Sequence, residues 1–249
     1  MGLAEEIIGL IQEKKLHFSL IDPDKQEPRE AGAIARVAEK AGSSAIMVGG
    51  STLVSRKQVD ETVLAIKDET TLPVILFPSS AKYLSRYADA VFFMSLLNSR
   101  DVDYVIREHV KGAFFIRETG IEPISMGYLI VEPGMTVGRI GKVDPIKRND
   151  VETAVGFALA AKYLGMRFLY LEAGSGAPQP VPNEMITAVK KNVDLPLLVG
   201  GGIRDPDTAK EKSSAGADII ITGTTLEEKS REELDKHLRD IIRAIEDVK

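Results

Sequence analysis

The sequence lacks several features that mark large classes of protein. It contains no cysteine, which excludes disulfide bonds and thiol catalysis. Lysine and arginine number 32 against 37 acidic residues, and this net charge of −5 leaves no basic stripe for a nucleic acid. The longest apolar run, residues 90–97, is far shorter than a membrane span. We therefore predict a soluble, cytoplasmic protein with no nucleic-acid partner and no stable membrane insertion.

Histidine is also scarce. The three histidines, His17, His109 and His237, do not have the spacing of metal ligands. His237 falls in a charged C-terminal segment whose periodicity predicts a helix, and we expect its ring on the solvated face of that helix.

What the sequence does contain is a repeated alternation of short apolar runs with amphipathic segments. Strands that alternate with helices indicate a parallel sheet. Strands are predicted at residues 17–21, 45–48, 74–77, 90–94, 125–131, 167–171, 195–199 and 217–222, and helices at 30–41, 56–69, 101–110, 150–164, 182–192 and 226–248. An extra helix precedes them at the N-terminus. The length of 249 residues fits one α/β domain, 1–249, folded as a (β/α)8 TIM-type barrel.

One repeat is too short to hold a full helix. Only about twelve residues separate Phe77 from Ala90. This is the lower limit for a crossover between parallel strands, which normally needs a dozen or more residues including its helix. We expect the third barrel helix to be missing or vestigial, which would leave a gap in the outer ring. Residues 112–149 show little pattern beyond their strand, and a glycine-rich loop follows it where barrel enzymes place substrate loops.

Two turns of small residues follow the last two strands. Residues 200–202 are all glycine, and Asp205 with Pro206 then marks the start of a helix. A second turn, residues 223–225, follows strand eight. Backbone N–H groups exposed at two neighbouring turns of this kind resemble the phosphate cradle after strands seven and eight of a barrel. The alternative is that these glycines only make tight turns.

Strand six ends at a candidate catalytic pair. Side chains alternate across a strand, so Phe168, Tyr170 and Glu172 share the face opposite Leu169 and Leu171. The leucines suit the helix layer, which places Tyr170 and Glu172 at the mouth of the barrel beside a Gly-Ser-Gly turn. Alternatively, Glu172 could pair with a lysine in the lumen.

A candidate metal site lies at the ends of strands one and two. Asp22 ends the first strand and Ser51 follows the second. A carboxylate and a hydroxyl at adjacent strand ends can hold Mg²⁺ when phosphate oxygens and water complete the octahedron. The same Asp-Pro-Asp sequence is also an ordinary turn, with Asp24 as a local cap.

Five segments carry a more specific resemblance. They are SLIDPDK at 19–25, MVGGST at 47–52, YLEAGSGAP at 170–178, VGGGIRD at 199–205 and ITGT at 221–224. In this order they resemble the geranylgeranylglyceryl phosphate synthase family of archaea and its bacterial heptaprenyl relatives, over nearly the whole chain. The resemblance implies a barrel without its third helix, which agrees with the short segment, and a dimer-based homo-oligomer such as a hexamer.

The resemblance also implies an activity: Mg²⁺-dependent transfer of the geranylgeranyl group of geranylgeranyl diphosphate to the 3-hydroxyl of sn-glycerol 1-phosphate, the first ether bond of archaeal membrane lipids. The residues that would hold glycerol phosphate are Tyr170, Leu171, Glu172, Ala173, Gly174, Ser175, Gly176, Gly201, Gly202, Gly223 and Thr224. Asp22 and Ser51 would carry Mg²⁺ on the diphosphate. Leu20 stands where relatives often have a lysine, and Lys25 is a candidate substitute.

The implied chemistry assigns roles to two side chains and requires a trough. Glu172 would accept the proton of the attacking hydroxyl, and Tyr170 would orient the glycerol. The prenyl chain needs an apolar trough, expected at the gap in the helix ring. The aromatic residues expected beside it are Phe77, Tyr83, Tyr87 and Phe92.

Three alternatives stay open at this point. The first is a heptaprenylglyceryl phosphate synthase, and the second is another phosphate-binding barrel enzyme, such as one of histidine or thiamine synthesis. The third is a catalytically silent protein that binds a phosphorylated ligand.

Overall fold

A computed structural model of the chain describes residues 2–50, 55–223 and 230–248. Within these ranges parallel strands close into a barrel in chain order, and β8 pairs with β1. The strands are β1 (Leu16–Ile21), β2 (Ala45–Val48), β3 (Val74–Leu76), β4 (Ala90–Leu96), β5 (Glu122–Ile130), β6 (Phe168–Glu172), β7 (Leu197–Gly200) and β8 (Ile219–Thr222). The predicted TIM-type barrel is confirmed.

Helices surround the barrel and precede it. They are α1 (Leu3–Ile11), α2 (Pro28–Ala41), α3 (Arg56–Glu69), α4 (Glu108–Thr119), α5 (Met135–Ile140), α6 (Val151–Tyr163), α7 (Asn183–Asn192), α8 (Pro206–Ser214) and α9 (Arg231–Glu246). The side chains of Ser55, Asp150 and Asp205 cap α3, α6 and α8 by accepting a hydrogen bond from the backbone N–H three residues on. In the described part of the chain no helix is long and apolar enough to cross a membrane.

The alternation of side chains along each strand separates the apolar core in the lumen from the apolar layer between strands and helices. Phe18, Phe168 and Tyr170 are buried in the lumen of the barrel. Leu169 and Leu171 instead pack among residues of α6 and α7 in the layer between strands and helices. The two faces predicted for strand six are therefore confirmed, and Glu172 continues the lumen face to the barrel mouth.

Between β3 and β4 the chain makes only one 3-10 turn, Ala81–Tyr83. The predicted absence of a full barrel helix after the third strand is therefore confirmed. The carboxylate of Glu108, at the start of α4, accepts hydrogen bonds from the Ser80 hydroxyl and the Ala81 backbone N–H, both at 2.7 Å. These bonds hold the turn against α4, and part of the space that a full helix would fill remains open between them.

The helix after β4 is longer than the sequence predicts. A π-helical turn, Asp103–Arg107, leads into α4, which continues to a left-handed residue at Gly120. The prediction ended at residue 110 because the buried face of α4 carries only Gly112 and Ile116, which give too weak a periodic signal. The glycine-rich loop after β5 likewise contains a short helix, α5, that was not predicted.

The closing helix begins later than predicted. It starts at Arg231 because Ser230 and Glu233 form a capping box, each side chain bonding the other residue's backbone N–H. The first residues of the predicted helix, 226–229, lie outside the described residues.

His237 is half-buried rather than on a solvated face, so that prediction was wrong. It lies close to His17 of β1, whose pKa falls to about 3, chiefly because His17 is buried and secondarily because of the charge of His237. The His17 ring bonds the hydroxyls of Ser43 at 2.8 Å and Thr222 at 2.9 Å. A neutral imidazole therefore ties β1 to the end of β8.

Candidate functional site

The turns after β6 and β7, together with the end of β8 and Gly223, form a polar cleft at the mouth of the barrel. Its lining residues are Leu20, Tyr170, Glu172, Ser175, Gly176, Gly201, Gly202, Ile203, Arg204, Ile221, Thr222 and Gly223. Most of the residues predicted to hold glycerol phosphate are among them. The cleft lies at the carboxyl ends of the strands, where barrel enzymes have their active sites.

Three of the predicted residues do not line the cleft. Leu171 and Ala173 are buried in the core between strands and helices. Gly174 packs against Gly134 of the loop after β5. Thr224 lies outside the described residues. The binding roles of all these residues stay predictions.

The triple-glycine turn depends on close packing of backbone against backbone. Gly201 has a φ of +81°, and a Cβ on it would lie 2.7 Å from the backbone nitrogen of Gly174 and 2.9 Å from that of Ala173. Only glycine tolerates both the conformation and the contact. The Arg204 guanidinium also donates a hydrogen bond to the Gly176 carbonyl at 2.7 Å. The turns after β6 and β7 therefore form one continuous wall of the cleft.

Replacing Gly201 with alanine is expected to push this wall apart. The added methyl group meets backbone atoms that cannot move aside, and left-handed backbone disfavours alanine by about 1–3 kcal/mol. For sn-glycerol 1-phosphate, the ligand that the resemblance implies, we expect the affinity to fall roughly tenfold or more, as measured by calorimetry. The matched control is Gly156→Ala in α6, where a Cβ meets nothing within 4 Å. Wild-type affinity in the Gly201 variant would contradict the placement of the ligand.

Three buried side chains form a network at the inner end of the cleft, and two of them, Tyr170 and Glu172, line it. Tyr170 and Glu172 come from β6, and Tyr128 lies opposite Tyr170 on β5. The Tyr128 hydroxyl donates a hydrogen bond to the Glu172 carboxylate, and the Tyr170 hydroxyl lies near enough to this carboxylate to favour its ionised form. The two tyrosine rings are stacked with their centroids 5.1 Å apart. The predicted pair of Tyr170 and Glu172 is thus part of a network of three, and no lysine among the described residues pairs with Glu172.

Burial sets the protonation of this network. It raises the pKa of the Glu172 carboxyl to about 7, and the hydrogen bonds from the two tyrosines oppose that rise. The pKa values of Tyr128 and Tyr170 are raised well above normal, first by burial and then by the charge of Glu172, so both phenols stay protonated donors. A carboxylate whose pKa lies near neutrality is suited to accept a proton from substrate.

A second, apolar cavity lies beside the cleft. It has a volume of about 830 Å³ with its mouth included, and it extends from the barrel mouth to the space between the 3-10 turn and α4. Phe77 and Tyr128 line it near the mouth, Leu84 and Ile116 line it under α4, and Val137 lines it from α5. Its position matches the gap left by the third helix.

Two of the four aromatic residues expected beside the trough do line the apolar cavity. These are Phe77 and Phe92. Tyr83 instead lines a small pocket next to Asp22, and Tyr87 is 42% exposed outside the cavity. The expectation was wrong for the two tyrosines because the 3-10 turn presents its neighbouring alanine and leucine side chains to the cavity instead.

Asp22 lies at the mouth of the apolar cavity. Its carboxylate packs so closely on Gly50 that a Cβ at that position would overlap it. The small pocket around Asp22 shares Gly50, Pro78 and Ser79 with the apolar cavity. A group bound by this carboxylate would therefore lie at the end of any chain that fills the cavity.

Asp22, and not Asp24, makes the local turn. The backbone N–H of Asp24 donates a hydrogen bond to the Asp22 carboxylate at 3.1 Å, and α2 begins at Pro28 with no side-chain cap from the preceding Glu27. Burial raises the pKa of Asp22, while the hydrogen bond from Asp24 and the positive charge of Lys25 oppose the rise. Lys25 therefore lies close enough to act on this carboxylate.

The side chains around Asp22 fit Mg²⁺ only together with a phosphorylated substrate. In residues 2–50, 55–223 and 230–248, no group of three or more histidine, aspartate or glutamate side chains is arranged to hold a metal ion. Mg²⁺ is commonly bound by one or two carboxylates when phosphate oxygens and water supply the other ligands. A half-buried carboxylate beside the apolar cavity meets that requirement. Ser51, the second predicted ligand, lies outside the described residues.

Leu20 places an apolar side chain at the edge of the polar cleft, against Gly223. Arg204 supplies positive charge to the same cleft. Arg204 lies in the motif at 199–205, but the sequence predicted no role for it. Tyr128 was also missed, since its only signal was its place within a strand predicted at residues 125–131.

These features define a class of protein. A closed parallel barrel, a glycine turn after β7 that faces Gly223 at the end of β8, and a buried carboxyl with a pKa near 7 are typical of (β/α)8 barrel enzymes that act on phosphorylated substrates. The apolar cavity adds space for a long hydrocarbon.

Comparison with known proteins identifies the family. The PcrB family matches residues 9–245. The chain is 54% identical to the geranylgeranylglyceryl phosphate synthase of Pyrococcus horikoshii over 232 residues, 93% of this chain and 91% of the relative. It is 47% identical to that of Thermoplasma volcanium over 248 residues, 100% of this chain and 98% of the relative.

A solved structure agrees over the whole chain. The crystal structure of (S)-3-O-geranylgeranylglyceryl phosphate synthase from Thermoplasma acidophilum, in complex with sn-glycerol-1-phosphate, matches with a TM-score of 0.97 and 46% identity and covers 100% of both chains. The chain belongs to the PcrB family, among the geranylgeranylglyceryl phosphate synthases.

Proposed function

We propose that this protein transfers the geranylgeranyl group of geranylgeranyl diphosphate to the 3-hydroxyl of sn-glycerol 1-phosphate, forming an ether bond and releasing diphosphate. The observation that carries the proposal is the meeting of the polar cleft and the apolar cavity at Tyr128 and Glu172. A phosphorylated polyol requires a polar site, and a long isoprenoid chain requires an apolar one. The names of relatives that share about half of its residues support the same assignment.

The glycerol phosphate is proposed to bind in the polar cleft with its phosphate at the glycine turns. Gly201, Gly202 and Gly223 let a ligand approach the backbone closely, and Arg204 adds a positive charge. Anchoring the phosphate end leaves the 3-hydroxyl to extend toward the inner end of the cleft. Holding both reactants in this way removes much of the entropic barrier to their reaction.

Glu172 is proposed as the general base. The oxygen of the 3-hydroxyl attacks C1 of the prenyl chain as the bond from C1 to the diphosphate breaks, and the hydroxyl proton passes to the carboxylate of Glu172. A pKa near 7 leaves a substantial fraction of Glu172 ionised and able to take that proton at neutral pH. Tyr170, whose ring is held by stacking on Tyr128, is proposed to orient the glycerol.

The diphosphate is proposed to lie at the mouth of the apolar cavity beside Asp22. In this position the prenyl chain can enter the cavity between the 3-10 turn and α4. Mg²⁺ bound by Asp22, and by Ser51 as the resemblance implies, would neutralise the negative charge that develops on the leaving diphosphate.

One assay separates this function from its alternatives. Purified protein is offered radiolabelled C15, C20 and C35 prenyl diphosphates with sn-glycerol 1-phosphate or 3-phosphate, with Mg²⁺ or with a chelator. We expect a Mg²⁺-dependent product from the C20 substrate and glycerol 1-phosphate. A preference for C35 would identify a heptaprenyl enzyme. Absence of any prenylated product would contradict the proposal, and glycerol phosphate binding without product would favour the silent binding protein.

We also propose that the protein assembles into a homo-oligomer built from dimers, with a hexamer as the larger form expected from the resemblance. Val102, Ile106, Val110 and Phe114 recur every four residues along α4 and the turn before it, and they are 45, 51, 63 and 63% exposed. Exposed apolar stripes of this kind are often interfaces, and most soluble oligomers are symmetric copies of one chain. Light scattering that gives the mass of a monomer would contradict this. The cytoplasmic location stays a prediction.

A further inference from the structure

Tyr128 lies between the apolar cavity and the polar cleft, which meet at the barrel mouth. Its ring lines the apolar cavity, and its hydroxyl donates a hydrogen bond to Glu172, which lines the polar cleft. The side chain is only 3% exposed. It is therefore a partition between the space for a hydrocarbon and the space for a phosphorylated ligand, with its polar end directed at the carboxylate.

Packing fixes the direction of this side chain. The Phe77 ring meets the Tyr128 ring edge-on with centroids 5.4 Å apart, and the Tyr170 ring stacks on it at 5.1 Å. Aromatic contacts on both sides leave the Tyr128 ring little freedom to rotate away. Because the phenol stays protonated, its hydroxyl is a permanent donor and favours the ionised form of the carboxylate that accepts from it.

We propose that Tyr128 is a positioning residue for the transfer reaction: from the partition between the two substrates, its hydroxyl keeps Glu172 ionised and aimed at the glycerol hydroxyl. This rests on the proposed function, which assigns the proton transfer to Glu172. Tyr128 does not itself exchange a proton with substrate, and its effect is exerted through the carboxylate. The ring also separates the hydrocarbon chain from the charged base.

The hydroxyl is tested by Tyr128→Phe, which keeps the ring and removes one donor from Glu172. Loss of a donor to the ionised form raises the pKa of the carboxyl above about 7, so less of the base is ionised at a given pH. We expect the acidic limb of the turnover profile to shift about one unit toward alkaline pH, which corresponds to the loss of one charge-assisted hydrogen bond. The KM for glycerol 1-phosphate should stay near the wild-type value.

Two measurements complete the experiment. Tyr163→Phe removes a hydroxyl from a side chain that is 78% exposed, and its pH profile should match wild type. Carbon-13 NMR of glutamate-labelled protein follows the titration of Glu172 without any substrate, with Glu172→Gln used to assign the signal. An alkaline shift of that titration in Tyr128→Phe supports the control of Glu172 by Tyr128, and a wild type that is inactive with geranylgeranyl diphosphate would contradict the proposed function separately. An unshifted titration, or an unshifted acidic limb in an active enzyme, would overturn it.

Discussion

Replacing Glu172 with glutamine is expected to lower turnover by about 10²–10⁴, the usual worth of a positioned general base. Glutamine has nearly the same shape and still accepts a hydrogen bond from Tyr128, but it cannot take a proton. The phosphate anchor lies elsewhere in the cleft, so affinity for glycerol 1-phosphate should stay near native. Turnover and calorimetric affinity measured on the same preparation check both statements. Unchanged turnover would remove Glu172 from the proposed role.

The same variant has a stability signature that is independent of substrate. The Glu172 pKa is raised from 4.5 to about 7 in the folded protein, so its contribution to stability is present at low pH and is lost as pH rises through 7. At about 1.4 kcal/mol for each pKa unit, the ionised form costs roughly 3 kcal/mol. Above pH 7 the glutamine variant should therefore unfold at a higher denaturant concentration than wild type. A variant that is inactive and also destabilised at high pH would indicate general damage instead.

Replacing Asp22 with asparagine is expected to lower Mg²⁺-dependent turnover by about 10²–10³, since one preorganised charge is lost from the diphosphate end of the site. The shape of the side chain and its bond from the Asp24 backbone N–H can be kept, so the fold should not change. Turnover is measured across a Mg²⁺ titration. Affinity for glycerol 1-phosphate should be unaffected, because Asp22 lies outside the lining of the polar cleft.

Asp24 provides the matched control. It carries the same charge two residues further along the chain, is exposed, and makes its described bond through the backbone. Asp24→Asn should keep near-native turnover and the wild-type dependence on Mg²⁺. Equal losses in the two variants would point to the general charge of the loop, and full activity in Asp22→Asn would refute the metal assignment.

The sequence was sufficient for the features that depend on local pattern. Short apolar runs located the strands, and the alternation of side chains along strand six placed Tyr170 and Glu172 in the lumen, because a strand has only two faces. The short segment after Phe77 predicted the absent helix, since chain length alone limits what it can hold. The long α4 was only partly predicted. Its outer face is apolar and its inner face has few apolar side chains, so the sequence lacks the pattern of an amphipathic helix.

The features that depend on contacts between residues far apart in the sequence were not predicted. Tyr128 reaches Glu172 because β5 and β6 pair with Tyr128 opposite Tyr170, 42 positions apart in the numbering. That register is not visible in either strand by itself. The lining of the apolar cavity was missed in part for the same reason, since α4, α5 and the 3-10 turn approach one another only in the folded barrel.

The most direct test of the two-space arrangement is a crystal structure of Glu172→Gln with sn-glycerol 1-phosphate and an unreactive thio-analogue of geranylgeranyl diphosphate. We predict the phosphate of the glycerol ester against Gly201, Gly202 and Gly223, and the prenyl chain between the 3-10 turn and α4. The 3-hydroxyl should lie within about 3 Å of the glutamine side chain. A glycerol phosphate bound away from the triple-glycine turn, or a prenyl chain outside the apolar cavity, would contradict the arrangement.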